Sequence, residues 1–142
     1  MKRKFSSLFT LLLTIVLSFC FFSCKLTGEA DASLISSTNT QVVIKVEKVY
    51  GETSLLSAME SLQEKGELTF KTSGTMLSEL NGVANPADFS SCWMLYTSDA
   101  EMSNQAWGTL EYNGKVLGSA ILGADSLVIA EGEIYVWFYQ TF

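Results

Sequence analysis

The sequence of 142 residues contains no histidine, and its three cysteines include no pair with the spacing of metal-binding or redox cysteines. Without histidine, the Ser-His-Asp and Cys-His nucleophilic centres are excluded, and the commonest metal ligand is missing. The lack of a cysteine pair argues against a zinc site or a dithiol redox centre. A Gly-rich phosphate loop and the acidic calcium loop are also absent. These absences predict a protein that is not an enzyme and has neither a cofactor nor a metal site.

Pairs of carboxylates are the remaining route to acid–base catalysis. Glu131 and Glu133 flank a predicted turn, and Glu60 and Glu64 lie one helical turn apart on a predicted solvated face. An enzyme would need a cleft in which two such carboxylates converge. Nothing in the sequence brings either pair into a cleft, so an enzyme is the weakest of three hypotheses.

The first 24 residues have the pattern of an export signal. A basic segment at residues 2–4 precedes fifteen residues without a charge, 8–22. That run suits a signal peptide, because a membrane-spanning helix needs about 20 apolar residues. Cys24 follows the small residue Ser23, which resembles the lipobox of bacterial lipoproteins. We therefore expect residues 1–23 to be a signal peptide and Cys24 to carry the lipid.

Two other interpretations of this segment stay open. Phe21 and Phe22 stand where the lipobox usually has leucine and a small residue, so an ordinary secretory signal cleaved nearby is an alternative. Residues 5–24 also approach the length of a membrane span.

Cleavage before Cys24 leaves residues 24–142, which is 119 residues, enough for one domain. Three of the nine Lys and Arg residues leave with the signal, so against fifteen Asp and Glu the net charge is −9. Such a charge disfavours nucleic acid and anionic lipid headgroups as partners. The lipid anchor would hold the protein at the membrane in the bacterial cell envelope, exposed outside the cytoplasm at the cell surface or in the periplasm. Residues 24–40, rich in Ser, Thr and Ala, predict a flexible tether.

Residues 41–142 combine one helical pattern with several strand patterns. QVVIKVEKVY (41–50) predicts a strand, and the next segment predicts a helix that is capped by Thr53 or Ser54 and ends at Gly66. Asn113-Gly114 is the strongest hairpin signal in the chain. Further strands are predicted at 67–72, 75–80, 91–97 and in the final EIYVWFYQTF. The order predicts an α+β domain with one helix packed across a small, mostly antiparallel or mixed sheet.

The segment SCWMLYT (91–97) is apolar on both faces of a strand, which is typical of a central strand. Period-two alternation puts Cys92, Met94 and Tyr96 on one side, with Trp93 and Leu95 on the other. Cys92 is the one cysteine that lies beyond the lipobox. We expect it to be a small buried apolar residue.

Several of these segments, in this order, resemble the C-terminal β-domain of transcobalamin and intrinsic factor. The resemblance covers about residues 41–140 and rests on six pieces: the first strand, GETSLLSAMESL, SGTMLSELNG, the Trp of CWMLY, the Asn-Gly turn and EGEIYVWFY. Stand-alone relatives of this domain occur in bacteria, often on lipoproteins. The resemblance implies a β-grasp-like sheet with one main helix.

In the vitamin carriers this domain closes over one side of cobalamin, and a larger α-helical domain, absent here, supplies the other side. The resemblance implies that the contacts come from the turn at Thr72–Met76, where the carriers have an aromatic residue in place of Met76. Their tryptophan matches Trp93. The expected ligand-binding residues are Ser73, Thr75, Met76 and Trp93, with Trp107 from the following polar loop. The expected function is a non-catalytic ligand-binding module, with cobalamin or a related corrinoid as the possible ligand and a protein partner as the possible second half of the site.

A surface domain that binds another protein or an envelope polymer, without a small ligand, is the alternative function. For each aromatic residue a purely structural role is the competing interpretation, since Trp93 also fits a core position and Trp107 a sheet-covering position. The discriminating observation is whether the two tryptophans are exposed around a concave patch or a flat one.

Overall fold

The structure, a computed structural model, describes residues 28–142. Within these residues the chain forms nine strands and one helix. In chain order they are β1 (Glu29–Ser37), β2 (Gln41–Tyr50), α1 (Leu55–Glu64), β3 (Phe70–Ser73), β4 (Met76–Leu80), β5 (Val83–Ala84), β6 (Ser91–Thr97), β7 (Ser103–Tyr112), β8 (Lys115–Ala120) and β9 (Ile134–Thr141).

The strands form two antiparallel sheets. The larger has six strands in the order β1-β2-β9-β6-β8-β7, and the smaller has three in the order β3-β4-β5. Each strand pairing within residues 28–142 is antiparallel. The coarse part of the α+β prediction, a small domain with a mostly antiparallel sheet and one helix, is confirmed, and the helix is short beside the extensive sheets.

The helix begins and ends where its sequence signals lie. Ser54 is the N-cap, and its hydroxyl accepts a hydrogen bond of 3.2 Å from the backbone N–H of Ser57. Gly66, two residues after the last helical residue, has a φ of +75°, which glycine adopts without strain. The buried side of the helix consists of Leu55, Ala58, Met59 and Leu62, which belong to the same apolar cluster as residues of β2, β6 and β9.

The central strands bury side chains on both faces, as the sequence predicts for residues 91–97. In the larger sheet β6 lies between β9 and β8. Trp93, Leu95, Tyr135 and Trp137 join the main cluster with the helix. On the other face Val43, Tyr96, Leu117 and Val136 form a second cluster, which is covered in part by Leu110 and Tyr112 from β7. The prediction of a central strand is therefore confirmed.

The prediction of a flexible tether is wrong from Glu29 onward. This segment is the edge strand β1, which pairs with β2 from Glu29 opposite Tyr50 to Ser37 opposite Val42. Its inward side chains are Ala30, Ala32 and Leu34, which pack against the main cluster. Two of these inward residues are alanines, which differ little in hydrophobicity from the small polar residues that alternate with them. The segment therefore lacks the clear alternation of a strand, and its composition resembles that of a linker. The predicted signal peptide (1–23) and Cys24 lie outside the described residues.

The polar loop predicted before Trp107 also contains strand, because β7 begins at Ser103. Its polar side chains fit an edge strand that is partly solvated. The short strand β5 lies at the edge of the smaller sheet. Among residues 28–142, no helix has the length and apolar character needed to cross a membrane.

Candidate functional site

The turn between β3 and β4 presents three of the five predicted ligand-binding residues together. Ser73 and Met76 are partners across the hairpin, and Gly74 between them has a φ of +62°. Ser73, Thr75 and Met76 are exposed, and Met76 exposes 45% of its surface. An ion pair of 3.0 Å between Lys71 Nζ and Glu79 Oε2 joins the same two strands. The turn thus offers hydroxyl groups, backbone amides and one flexible apolar side chain to solvent.

A loop that follows β8 lies beside this turn. A Cβ atom added to Gly123 would stand 3.4 Å from the carbonyl oxygen of Thr75. The two preceding residues, Ile121 and Leu122, expose 37% and 45% of their surfaces. The carbonyl of Ala124 accepts a hydrogen bond of 2.8 Å from the backbone N–H of Leu56, which fixes the loop to the helix.

Ile121 and Leu122 are therefore exposed apolar residues within two positions of a glycine that lies beside the turn. Sequence reasoning missed them because the region 118–126 has no clear periodicity. The available signal was a pair of apolar residues followed directly by glycine in an otherwise polar segment.

Trp93 lies under the smaller sheet. Only 5% of its surface is exposed. Its indole N–H donates a hydrogen bond of 2.9 Å to the carbonyl of Val83, and its backbone N–H donates one of 3.0 Å to Asn85 Oδ1. The ring also contacts that of Tyr139, with centroids 5.2 Å apart. This burial favours a supporting role for Trp93 over direct contact with a ligand.

Trp107 lies on the edge strand β7 and exposes 64% of its surface. Asn104 pairs with Ser119 and Thr109 pairs with the adjacent Gly118, so four residues of β7 bulge away from β8. Asn104 Oδ1 accepts a hydrogen bond of 2.9 Å from the N–H of Ala106 inside this bulge. None of the hydrogen bonds and ring contacts found within residues 28–142 joins Trp107 to the β3–β4 turn. The five predicted residues thus do not form one site: three lie on the exposed turn, Trp93 is buried beneath the smaller sheet, and Trp107 is exposed elsewhere, on β7.

The titratable groups of the described residues do not converge on a reaction centre. No cluster of three His, Cys, Asp or Glu side chains lies within metal-binding reach in residues 28–142. Burial raises the pKa of the half-buried Cys92 thiol, which reduces its thiolate fraction at neutral pH. Glu133 accepts a short hydrogen bond from Ser98 Oγ, and the same hydroxyl accepts one of 2.9 Å from the N–H of Ile134. These groups stabilise the start of β9.

Comparison of the chain with known protein families, with curated proteins and with solved structures finds no match.

Proposed function

We propose that the mature protein is a lipid-anchored, non-catalytic ligand-binding module of the bacterial cell envelope, held outside the cytoplasm by a lipid on Cys24. The proposed ligand is cobalamin or a related corrinoid, bound at the β3–β4 turn. In this proposal the finer fold is β-grasp-like, with α1 packed across the larger sheet.

The observation that carries the proposal is the exposed apolar surface at the turn. Met76 exposes 45% of its surface, and Ile121 and Leu122 stand beside the turn next to Gly123. A corrin ring is broad, and its faces are largely apolar while its edges carry amide groups. Apolar side chains would cover one face, while the hydroxyls of Ser73 and Thr75 would bond with the amides.

This surface is open rather than enclosed, so the chain would cover one side of the ligand. In this proposal a second protein completes the site. Affinity in the absence of that partner would be modest, because much of the ligand would stay in contact with water.

The test is calorimetric titration of the full-length chain in detergent micelles with cobalamin and with its precursor cobinamide. We expect saturable binding at micromolar affinity, weakened about tenfold by Met76→Ala, because loss of about 1.4 kcal/mol changes a dissociation constant tenfold. Val116→Ala is the matched control, since Val116 is an exposed apolar residue on β8 (57% exposed). A folded sample that gives no binding heat with either ligand would contradict the corrinoid proposal.

The lipid anchor is tested separately. Labelling of the expressing cells with a radioactive fatty acid should mark the wild-type protein and leave a Cys24→Ala variant unlabelled. Label that persists in this variant would contradict attachment at Cys24.

A surface interaction domain is the second candidate, and the exposure of Trp107 favours it. A tryptophan that exposes 64% of its surface on a four-residue bulge of an edge strand is typical of a protein contact point. The envelope proteins recovered by crosslinking of the wild-type chain should be lost with Trp107→Ala and kept with Val116→Ala. Equal recovery with both variants would remove the support that Trp107 gives to this candidate.

A further inference from the structure

A polar cavity of about 330 Å³ lies between the beginning of β1, the end of β2 and the solvent-facing side of α1. Its volume falls in the range typical of small-molecule sites, about 300–1,000 Å³. None of the residues expected to bind a corrinoid lines it. The polar residues of its lining include Glu29, Asp31, Tyr50, Ser57, Ser61 and Lys65.

One residue of the cavity wall has an unsatisfied polar group. Thr53 is 99% buried, and its side-chain oxygen has no hydrogen-bond partner within residues 28–142. A buried hydroxyl without a partner destabilises a folded protein, so such groups are rare. The neighbouring Ser54 and Ser57 hydroxyls already bond with each other at 3.2 Å. The Thr53 oxygen is itself buried from solvent, so the groups of the wall that can contact a molecule in the cavity are the more exposed polar side chains.

The charges of the lining restrict the class of ligand. Glu29 and Asp31 contribute two carboxylates, and Lys65 contributes one ammonium group. The net negative charge disfavours phosphates, nucleotides and other anions. The ammonium group disfavours a simple cation. A neutral molecule that both donates and accepts many hydrogen bonds satisfies this lining best.

Hydroxyl groups and an aromatic ring supply the rest of the recognition chemistry. Ser57 and Ser61 can each donate and accept hydrogen bonds. Tyr50, which exposes 52% of its surface, lines the cavity, and its hydroxyl donates to Asp31 Oδ2 at 3.3 Å. An aromatic ring beside hydroxyls and carboxylates suits a sugar ring, whose C–H face packs on the aromatic surface while its hydroxyls bond with the polar groups.

We propose that this cavity is a carbohydrate-binding site that takes a single neutral sugar residue. The Asp31 carboxylate accepts hydrogen bonds from the sugar, the ring of Tyr50 packs against its apolar face, and the Ser57 and Ser61 hydroxyls bond with its hydroxyl groups. The site is independent of the corrinoid proposal because the two surfaces share no residue.

The test is a titration of the isotopically labelled full-length chain, followed by NMR of its backbone amides. The micelles are made of dodecylphosphocholine, because many mild detergents carry a sugar headgroup that would compete. Methyl glucoside and N-acetylglucosamine are the probes, and glycine and inorganic phosphate are the non-sugar controls. We expect saturable shifts at residues of the cavity wall with a sugar probe, at concentrations up to about 50 mM, which detects millimolar affinity.

Two variants connect the binding to the cavity. Ser61→Ala removes an exposed hydroxyl of the lining, so we expect about fivefold to tenfold weaker sugar binding with little change in melting temperature. Asp31→Asn should also weaken binding, while the exposed Asp88→Asn should leave it unchanged. The proposal is overturned if neither sugar gives saturable shifts at the cavity wall, or if the affinity is the same in Ser61→Ala and Asp31→Asn as in the wild type.

Discussion

The indole N–H of Trp93 and the carbonyl oxygen of Val83 form a hydrogen bond of 2.9 Å that joins the central strand β6 to the edge strand β5 of the smaller sheet. Because the smaller sheet also carries the exposed β3–β4 turn, this bond connects the core of the molecule to the proposed corrinoid surface. Trp93 acts as the support of that surface.

Replacement of Trp93 by phenylalanine should destabilise the protein without removing a ligand contact. The change leaves the Val83 carbonyl without its donor and leaves a small void, so we expect the free energy of unfolding to fall by about 2–3 kcal/mol. The measurement is chemical denaturation followed by circular dichroism. Trp107→Phe is the control, and it should change stability by less than about 0.5 kcal/mol because the side chain is exposed. Equal effects of the two variants would contradict the supporting role.

Asn85 makes a second connection between the sheets. Its Oδ1 accepts from the N–H of Trp93 at 3.0 Å, and its Nδ2 donates to the carbonyl of Leu77 at 2.8 Å. Asn85→Ala should cost about 2–3 kcal/mol of stability, since two hydrogen bonds are lost. Asn85→Asp keeps the acceptor for Trp93 but sets a carboxylate oxygen against the Leu77 carbonyl oxygen, so it should also destabilise the protein at neutral pH. An alanine variant as stable as the wild type would show that water replaces both bonds.

Ionisation of the buried Tyr135 phenol should reduce the stability of the protein at high pH. The side chain is fully buried, and this burial raises the pKa of Tyr135 to about 12 from its ordinary value of 10.0. The folded state then holds the phenol proton more tightly than the unfolded state. The stabilisation is fully present below pH 10 and is lost as the pH rises from about 10 to 12, with a total on the order of 2–3 kcal/mol.

Denaturation measured at several pH values between 9 and 12 tests this expectation. The Tyr135→Phe variant should show a shallower decline over that interval, because it has no phenol to ionise. Parallel pH curves for the two proteins would contradict a raised pKa at this position.

The strand β1 gives a direct test of whether this segment belongs to the folded domain. Leu34 packs against the main cluster, whereas the adjacent Ile35 exposes 50% of its surface. Leu34→Ser should cost about 1–3 kcal/mol, and Ile35→Ser less than about 1 kcal/mol, because the amount of apolar surface returned to water differs. Hydrogen exchange should also show protected amides within Glu29–Ser37. Rapid exchange throughout this segment, together with equal effects of the two variants on stability, would instead support the prediction of a flexible tether.

Much of the fold follows from local sequence signals. Ser54 and Gly66 bound the helix at the predicted places, and residues 41–50 form β2 as the alternation indicates. Asn113-Gly114 forms the tip of the β7–β8 hairpin. These signals succeed because a cap, a turn or a strongly alternating strand depends mainly on its own few residues.

The candidate site was only partly accessible to the same reasoning. The exposure of the turn at Ser73–Met76 follows from its local chemistry, but the neighbouring Ile121 and Leu122 are about 45 residues away in sequence. The polar cavity also joins residues from β1, β2 and α1, which no local pattern relates.

The sequence by itself determined the hairpin turns, the helix and the two-sided apolar strand at residues 91–97. Only the tertiary structure decided that Glu29–Ser37 is an edge strand, that Trp93 is buried while Trp107 is exposed, and that the Thr53 hydroxyl lacks a hydrogen-bond partner within residues 28–142. The physical reason is that burial and pairing at these positions depend on contacts between distant segments. A segment with a weak local pattern, such as the one that contains Ala30 and Ala32, forms a strand only because it pairs with β2 and packs against the core.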